Sequence, residues 1–319
     1  MTDWVLLVGA IALGACIGSY LNVLIHRLPA RVLSDRPVHF PARSFCPACG
    51  KPIPAWLNVP VFAWLLLRGR AACCGARIPF RYPLVEALTA TMYGLVFAVP
   101  PSGLHLVRAE WDWEAALAFG LHAYFLGNLI ANTFIDLDHR ILPDRLTLSA
   151  CAVGILGSLF VPGIAGSLGT PLPPASDSLL TAIVGAAAGA GSTAGIRWLG
   201  TVAFRRQAMG LGDVKLMAAI GAFTGWQGVL VTLFAGSLLG ALVGTWHRLR
   251  TGEAEIYFGP FLAVGAVVAL FLRVPLLRFL LEDLPEWQRS SPAAPWILLV
   301  TAGLCLVALF VLLRRGRAT

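Results

Sequence analysis

Apolar residues run along this chain in nine stretches, at roughly 4–25, 83–100, 115–135, 146–164, 178–200, 214–225, 228–246, 257–276 and 296–313, with charge, Pro and Gly collected between them. Most are long enough to cross about 30 Å of hydrocarbon as a helix. The run at 214–225 is short and is interrupted by Gly221 and Gly225, which predicts a half-span or a tilted helix. The stretch Pro54–Leu67 is apolar but too short to span, and reads as an interfacial or re-entrant piece. The pattern predicts an all-α polytopic membrane protein, a bundle of about eight to nine transmembrane helices with a Cys-containing cytoplasmic loop after the first. Composition agrees: 58% of residues are hydrophobic and 13% charged, against about a quarter charged in a soluble domain.

Orientation follows from the basic residues. With the amino terminus outside, the loop 26–82 holds Arg27, Arg31, Arg36, Arg43, Lys51, Arg68, Arg70, Arg77 and Arg81 on the cytoplasmic side. Alternating onward, that side gains eleven more, among them Arg140, Arg145, Arg197 and Lys215, while the outside keeps only Arg108, Arg273, Arg278 and Arg289. Twenty against four is the asymmetry that orients membrane proteins. It also accounts for the net charge of +8 without a nucleic-acid partner. The first 25 residues lack a basic n-region, and Arg27 and Arg31 follow the apolar run, so an uncleaved first span is expected. The chain then divides into a first transmembrane helix at 1–25, a cytoplasmic Cys-rich loop at 26–82, a transmembrane domain at 83–276, and an external segment with an extra helix at 277–319. Small residues at 185–195 permit close helix packing.

Acids inside a bilayer are costly, so each asks for a reason. Three qualify: Glu86 in the second span, Asp136 at the end of the third and Asp213 at the start of the sixth. Asp136 and Asp213 fall at the same depth on the same face. Gly210 and Gly212 strip side chains from beside Asp213, which lets an extended peptide or another helix approach. Two like carboxylates held together share one proton, so one can take a proton from water while the other donates to a scissile carbonyl. Taken alone, Asp213 reads as a helix cap; the matched depth and the Gly-x-Gly-Asp context favour catalysis by the pair. Asp144 directly precedes the fourth span, at the position of an N-cap, and is the reserve candidate. His139, beside Arg140, reads as a solvated loop residue rather than a ligand.

Cys46-Pro47-Ala48-Cys49-Gly50 is half of a zinc knuckle, two thiolates on one tight turn. The second half is irregular, because Ala71 and Ala72 precede adjacent Cys73 and Cys74. Cys46, Cys49, Cys73 and Cys74 are the candidate ligands of a structural zinc. A disulfide is not expected in a reducing cytoplasm.

These elements in this order resemble the type IV prepilin peptidases, also called leader peptidase/N-methyltransferases. The resemblance is carried by Gly14-Ala15-Cys16-Ile17-Gly18-Ser19-Tyr20-Leu21-Asn22-Val23, Arg27-Leu28-Pro29, Cys46-Pro47-Ala48-Cys49, Arg81-Tyr82-Pro83-Leu84-Val85-Glu86, the Asp136 segment and Gly210-Leu211-Gly212-Asp213. It covers roughly residues 9–275. It implies that Asp136 and Asp213 are the catalytic aspartates of an aspartic protease in the bacterial inner membrane, its active site facing the cytoplasm. The implied substrates are type IV prepilins or type II secretion pseudopilins, cleaved after a glycine and then N-methylated from S-adenosylmethionine. Glu86 matches a family acid without an evident role. The Ala71-Ala72-Cys73-Cys74 run departs from the family's second Cys-x-x-Cys, and the span after 295 has no counterpart in its usual eight-span pattern. An ion or metal transporter is the alternative from another class, which would favour acids near mid-bilayer in repeated, broken helices. A non-catalytic assembly protein with a zinc-stabilised loop is a third.

Overall fold

In hydrocarbon a backbone N–H or C=O has no water to bond, so spanning segments close their hydrogen bonds within helices. The computed structural model describes residues 2–34, 45–99, 113–161, 164, 175–205, 209–252 and 257–291, together with 293, 295, 296 and 300. Among these the only β pairing is two isolated bridges in the loop after the first helix. The helices are α1 (Thr2–Ser34), α2 (Phe62–Leu66), α3 (Arg81–Ala98), α4 (Trp113–His139), α5 (Asp144–Phe160), α6 (Ala175–Phe204), α7 (Leu211–Thr251), α8 (Phe258–Arg278) and α9 (Leu284–Ser290). Among the described residues five helical stretches are long and apolar enough to cross a membrane: Trp4–Ala30, Trp113–His139, Asp177–Ala203, Leu211–Thr251 and Phe258–Ser290. The chain is thus a multi-pass membrane protein. Apart from residues 296 and 300, the apolar run expected at 296–313 lies outside the described residues.

Helix α1 continues nine residues beyond the predicted end at 25 and carries Pro29 inside it. An apolar window stops where Arg27 and Arg31 appear, whereas helical hydrogen bonding does not. Two clusters form the core. One gathers Leu21, Ile25, Val85, Ile130 and Ile135 from α1, α3 and α4. The other gathers Phe125, Leu129, Met217, Ile220, Phe223, Leu262 and Ala266 from α4, α7 and α8, with Phe125 and Phe223 stacked at 4.3 Å between ring centroids.

Helix α7 is two arms. Its backbone breaks at Gly225 (φ 66°, ψ 178°), a region that only glycine occupies readily. A straight helix would hold residues 213 and 238 about 37 Å apart. Neighbouring contacts forbid that. Gly212 packs on Leu142 and Lys215 pairs with Asp144, while Arg140 covers Tyr257 and Asp136 abuts Gly259. Gly236 and Gly240 in turn lie against Phe261 and Phe258. Residues near 213 and near 238 therefore share one end of the bundle, and the chain reverses at Gly225. This resolves the short run at 214–225 into the first arm of a hairpin. The break removes the helical partner of the Thr224 carbonyl, and buried Arg273 of α8 donates to it instead. Helix α6 packs along the first arm and α8 along the second. At Gly185 and Gly221 the backbones of α6 and α7 touch, and a Cβ on either would collide with the other's carbonyl oxygen. Close packing through small residues was expected for 185–195, and Gly185 and Gly189 provide it.

Candidate active site and cysteine cluster

Asp136 lies in the last turn of α4 and Asp213 in the first turn of α7. Both are mostly buried, at 7% and 9% exposure. They stand at the same end of the bundle, close enough for their charges to interact. The Gly259 N–H donates to the Asp136 carboxylate, and a Cβ on Gly259 would lie 2.5 Å from Asp136 Oδ2. The Gly210 N–H donates to Asp213 Oδ2 at 3.2 Å. Asp213 thus serves as a cap with one oxygen, which leaves the other available. Backbone N–H groups hold both carboxylates, so their positions do not depend on cations.

The nearby basic residues are engaged elsewhere. Arg81 pairs with Asp138 and also donates to the Phe134 carbonyl. Lys215 Nζ meets Asp144 Oδ1 at 2.6 Å. Among the described ion pairs none uses Asp136 or Asp213. Asp144 is not the N-cap that its place before the span suggested: Pro143 holds that position, and Asp144 opens α5 with its carboxylate turned to Lys215. Each acid's helix is therefore tied by an ion pair two residues away, α4 to α3 and α7 to α5. Two buried asparagines extend the site inward. Asn128 donates to the Leu146 carbonyl at 3.0 Å and Asn132 to Asn128 Oδ1 at 2.7 Å. With Asp136 they recur every four residues on one face of α4, a polar stripe in an apolar helix that the sequence displays and that the reading of its acids passed over.

The cysteines converge despite their spacing. In the first knuckle Phe45 bridges Pro52, Cys46 N–H donates to Lys51 O, and Gly50 N–H donates to Cys46 O. The second repeats this frame: Arg70 bridges Arg77, Ala71 N–H donates to Ala76 O, and Gly75 N–H donates to Ala71 O. Gly50 and Gly75 both take positive φ. Ala71 thus stands where Cys46 stands and Cys74 where Cys49 stands, while Cys73 supplies the remaining sulfur from within the turn. The four sulfurs lie within 4.8 Å of one another. Cys46–Cys74, Cys49–Cys73 and Cys73–Cys74 are separated by 3.7, 3.3 and 3.9 Å. Four sulfurs around a tetrahedral zinc with Zn–S near 2.3 Å would be about 3.8 Å apart, so the set fits one metal ion. The N–H groups of Cys49 and Ala48 lower the Cys46 thiol to about 6, making it the first thiolate to form. The hydrogen bond with Cys49 and burial push Cys73 up to about 12.

The chain matches the bacterial peptidase A24 N-terminal domain over residues 12–99 and the type IV leader peptidase family over residues 123–245. Three curated relatives are named prepilin leader peptidase/N-methyltransferase. That of Stutzerimonas stutzeri is 35% identical over 283 residues, 82% of this chain and 89% of the relative. That of Pseudomonas aeruginosa is 33% identical over 295 residues, 85% and 92% of the two chains. That of Myxococcus xanthus is 38% identical over 242 residues, 76% of this chain and 63% of the relative. No solved structure matches it. The fold is that of a multi-pass, all-α membrane protein. The chain belongs to the type IV leader peptidase family.

Proposed function

We propose that this chain is a membrane-embedded aspartic endopeptidase that removes the basic leader of type IV prepilins and pseudopilins at the cytoplasmic face of the inner membrane, and N-methylates the new amino terminus. The observation that carries the catalytic assignment is the buried pair Asp136–Asp213 at one end of the bundle, held by backbone N–H groups of Gly259 and Gly210 and free of ion pairing among the described residues. In such a pair one carboxylate takes a proton from the attacking water, and the other donates to the carbonyl of the scissile amide. The mobile proton then passes to the leaving nitrogen. A substrate whose helix lies in the bilayer with its leader inside presents its cleavage site at this depth. Nothing supports the transporter alternative, whose acids would lie near mid-bilayer. Cleavage of a purified prepilin by the detergent-solubilised protein tests the proposal.

The matches at 12–99 and 123–245 support a division into a first helix (1–25), a cysteine-tied loop (26–82), a peptidase domain (83–276) and a terminal segment (277–319). The cytoplasmic orientation is supported by the basic residues that share the end of the bundle holding Asp136 and Asp213. Reporter fusions after Arg145 and after Arg206 are expected to read cytoplasmic, and one near Ser167 external. The first two on opposite sides would place about 30 Å of hydrocarbon between the acids and end the proposal.

Cys46, Cys49, Cys73 and Cys74 would hold a zinc ion that cross-links the two knuckles, a structural role that hydrolysis by aspartates does not call upon. Binding must displace the protons held on these thiols. Protein purified without chelator is expected to carry about one equivalent of zinc, with affinity falling as pH is lowered because protons compete for the thiolates. Metal analysis returning no zinc at neutral pH would remove the assignment. S-adenosylmethionine would supply the methyl group, as the methyltransferase name of the relatives suggests.

A further inference from the structure

Glu86 is an acid the aspartic mechanism leaves unused, and it is 9% exposed on α3. Its setting is closely built. The opposite face of α1 approaches at Gly18, where a Cβ would lie 2.6 Å from the Glu86 Cα, and the Ser19 hydroxyl faces the carboxylate. Glu86 Oε2 accepts the backbone N–H of Val61 at 2.7 Å. Val61 is a β-branched residue with φ 62° and ψ −52°, and the Phe62 N–H closes back onto the Pro60 carbonyl at 2.6 Å. This is a γ-turn of the strained, positive-φ kind, rare for any side chain and least tolerable for a β-branched one. Such a conformation persists only where its surroundings over-determine it.

The turn leads directly into α2, and α2 is joined to the cysteine unit. Trp64 Nε1 donates to the Ile78 carbonyl at 3.1 Å, Trp64 meets Phe80 edge to face, and Ile78 N–H donates to Gly69 O beside the second knuckle. The Glu86 carboxylate thus ties that unit to α3, beside the covalent link at Arg81 and the stacking of Arg27 of α1 over Phe45. Glu86 lies five residues inside Arg81, about 7.5 Å along the helix. Val61 is therefore held below the level of Arg81, in a segment that also carries the exposed apolar side chains of Trp56, Phe62, Leu65 and Leu66. At the rim itself Arg81 reaches across to Asp138 and the Phe134 carbonyl, on either side of Asp136.

We propose that Glu86 is a positioning residue, an acceptor that locks the Val61 turn and so seats the cysteine loop beside the mouth of the Asp136–Asp213 site. The role rests on the peptidase reading above. It requires an oxygen at the right reach and requires no negative charge. Glu86→Gln keeps the reach and loses the acid; Glu86→Asp keeps the acid and is one methylene short. The full-length protein in detergent is compared by two measurements: limited trypsin digestion, read as cutting after Arg68, Arg70 and Arg77, and steady-state cleavage of a prepilin. Glu86→Gln is expected to match wild type in both. Glu86→Asp is expected to be cut in the loop about tenfold faster or more, with KM for prepilin raised about threefold or more and kcat little changed. The reverse order, with the aspartate variant active and the glutamine variant inert, would show that the acid itself is used and overturn the proposal. Unchanged trypsin cutting in Glu86→Asp would overturn it as well. The digestion readout does not depend on catalysis, so failure of the peptidase reading is seen separately.

Discussion

Asp136→Asn and Asp213→Asn, each made alone, are expected to lower prepilin cleavage by at least about 100-fold, the usual contribution of a positioned general acid or base. Protein amounts in the membrane should stay near wild type. Asparagine is nearly isosteric with aspartate, and its amide oxygen can still accept the Gly259 or Gly210 N–H that holds the native carboxylate. Replacing one buried carboxyl group by an amide also removes a group that is costly to ionise there. Cleavage of purified prepilin, with an immunoblot of membranes alongside, measures both quantities. Near wild-type cleavage by either variant would end that residue's assignment, and Asp144, ion-paired with Lys215 at the same rim, would be the next acid to replace.

The second large effect is expected at the contact between α6 and α7. Gly221→Ala adds a Cβ where the Gly185 carbonyl oxygen already sits, and the obstacle is backbone that cannot swing aside. Overpacking of this kind costs about 1–3 kcal/mol and more when the clash is rigid. The arm that must move carries Asp213 at its base, so cleavage should fall together with thermal stability in detergent. Gly191→Ala is the control: on α6, the other helix of this contact, its Cβ meets open space within 4 Å and should change neither. Equal stability in the two variants would mean that the helices do not pack as closely as described.

Much of the architecture was legible because a bilayer filters sequence harshly. Long apolar runs have one stable fate there, and α4, α6 and α8 lie close to the stretches the hydrophobic pattern assigned. The two glycines that interrupt 214–225 were visible too, but their separate tasks were not. Gly225 takes a conformation that reverses the chain, whereas Gly221 stays helical and admits a neighbour's backbone. Telling them apart needs dihedral angles. The cysteine cluster was harder for a related reason. Spacing alone shows an incomplete second pair at Cys73 and Cys74, and only the paired turns reveal that Ala71 occupies the vacated corner while Cys73 reaches the same point from inside. The ties of Arg81 to Asp138 and Lys215 to Asp144 join residues 57 and 71 positions apart. Charge counting by itself reveals neither tie. Asn128 and Asn132 were present as a four-residue rhythm, masked by attention to acids.

The reversal at Gly225 also fixes a parity. Each pass through the bilayer exchanges inside for outside, so the sidedness of everything after residue 225 depends on whether the chain turns there or runs on. With the turn, Gly259 arrives on the same side as Asp136 and offers it an N–H. Without it, α8 would enter from the opposite leaflet and Asp136 would lose that donor. Arg273, left facing the wrong headgroups, could no longer reach the Thr224 carbonyl it serves. One positive-φ backbone break thus decides from which end of the bundle α8 sets out.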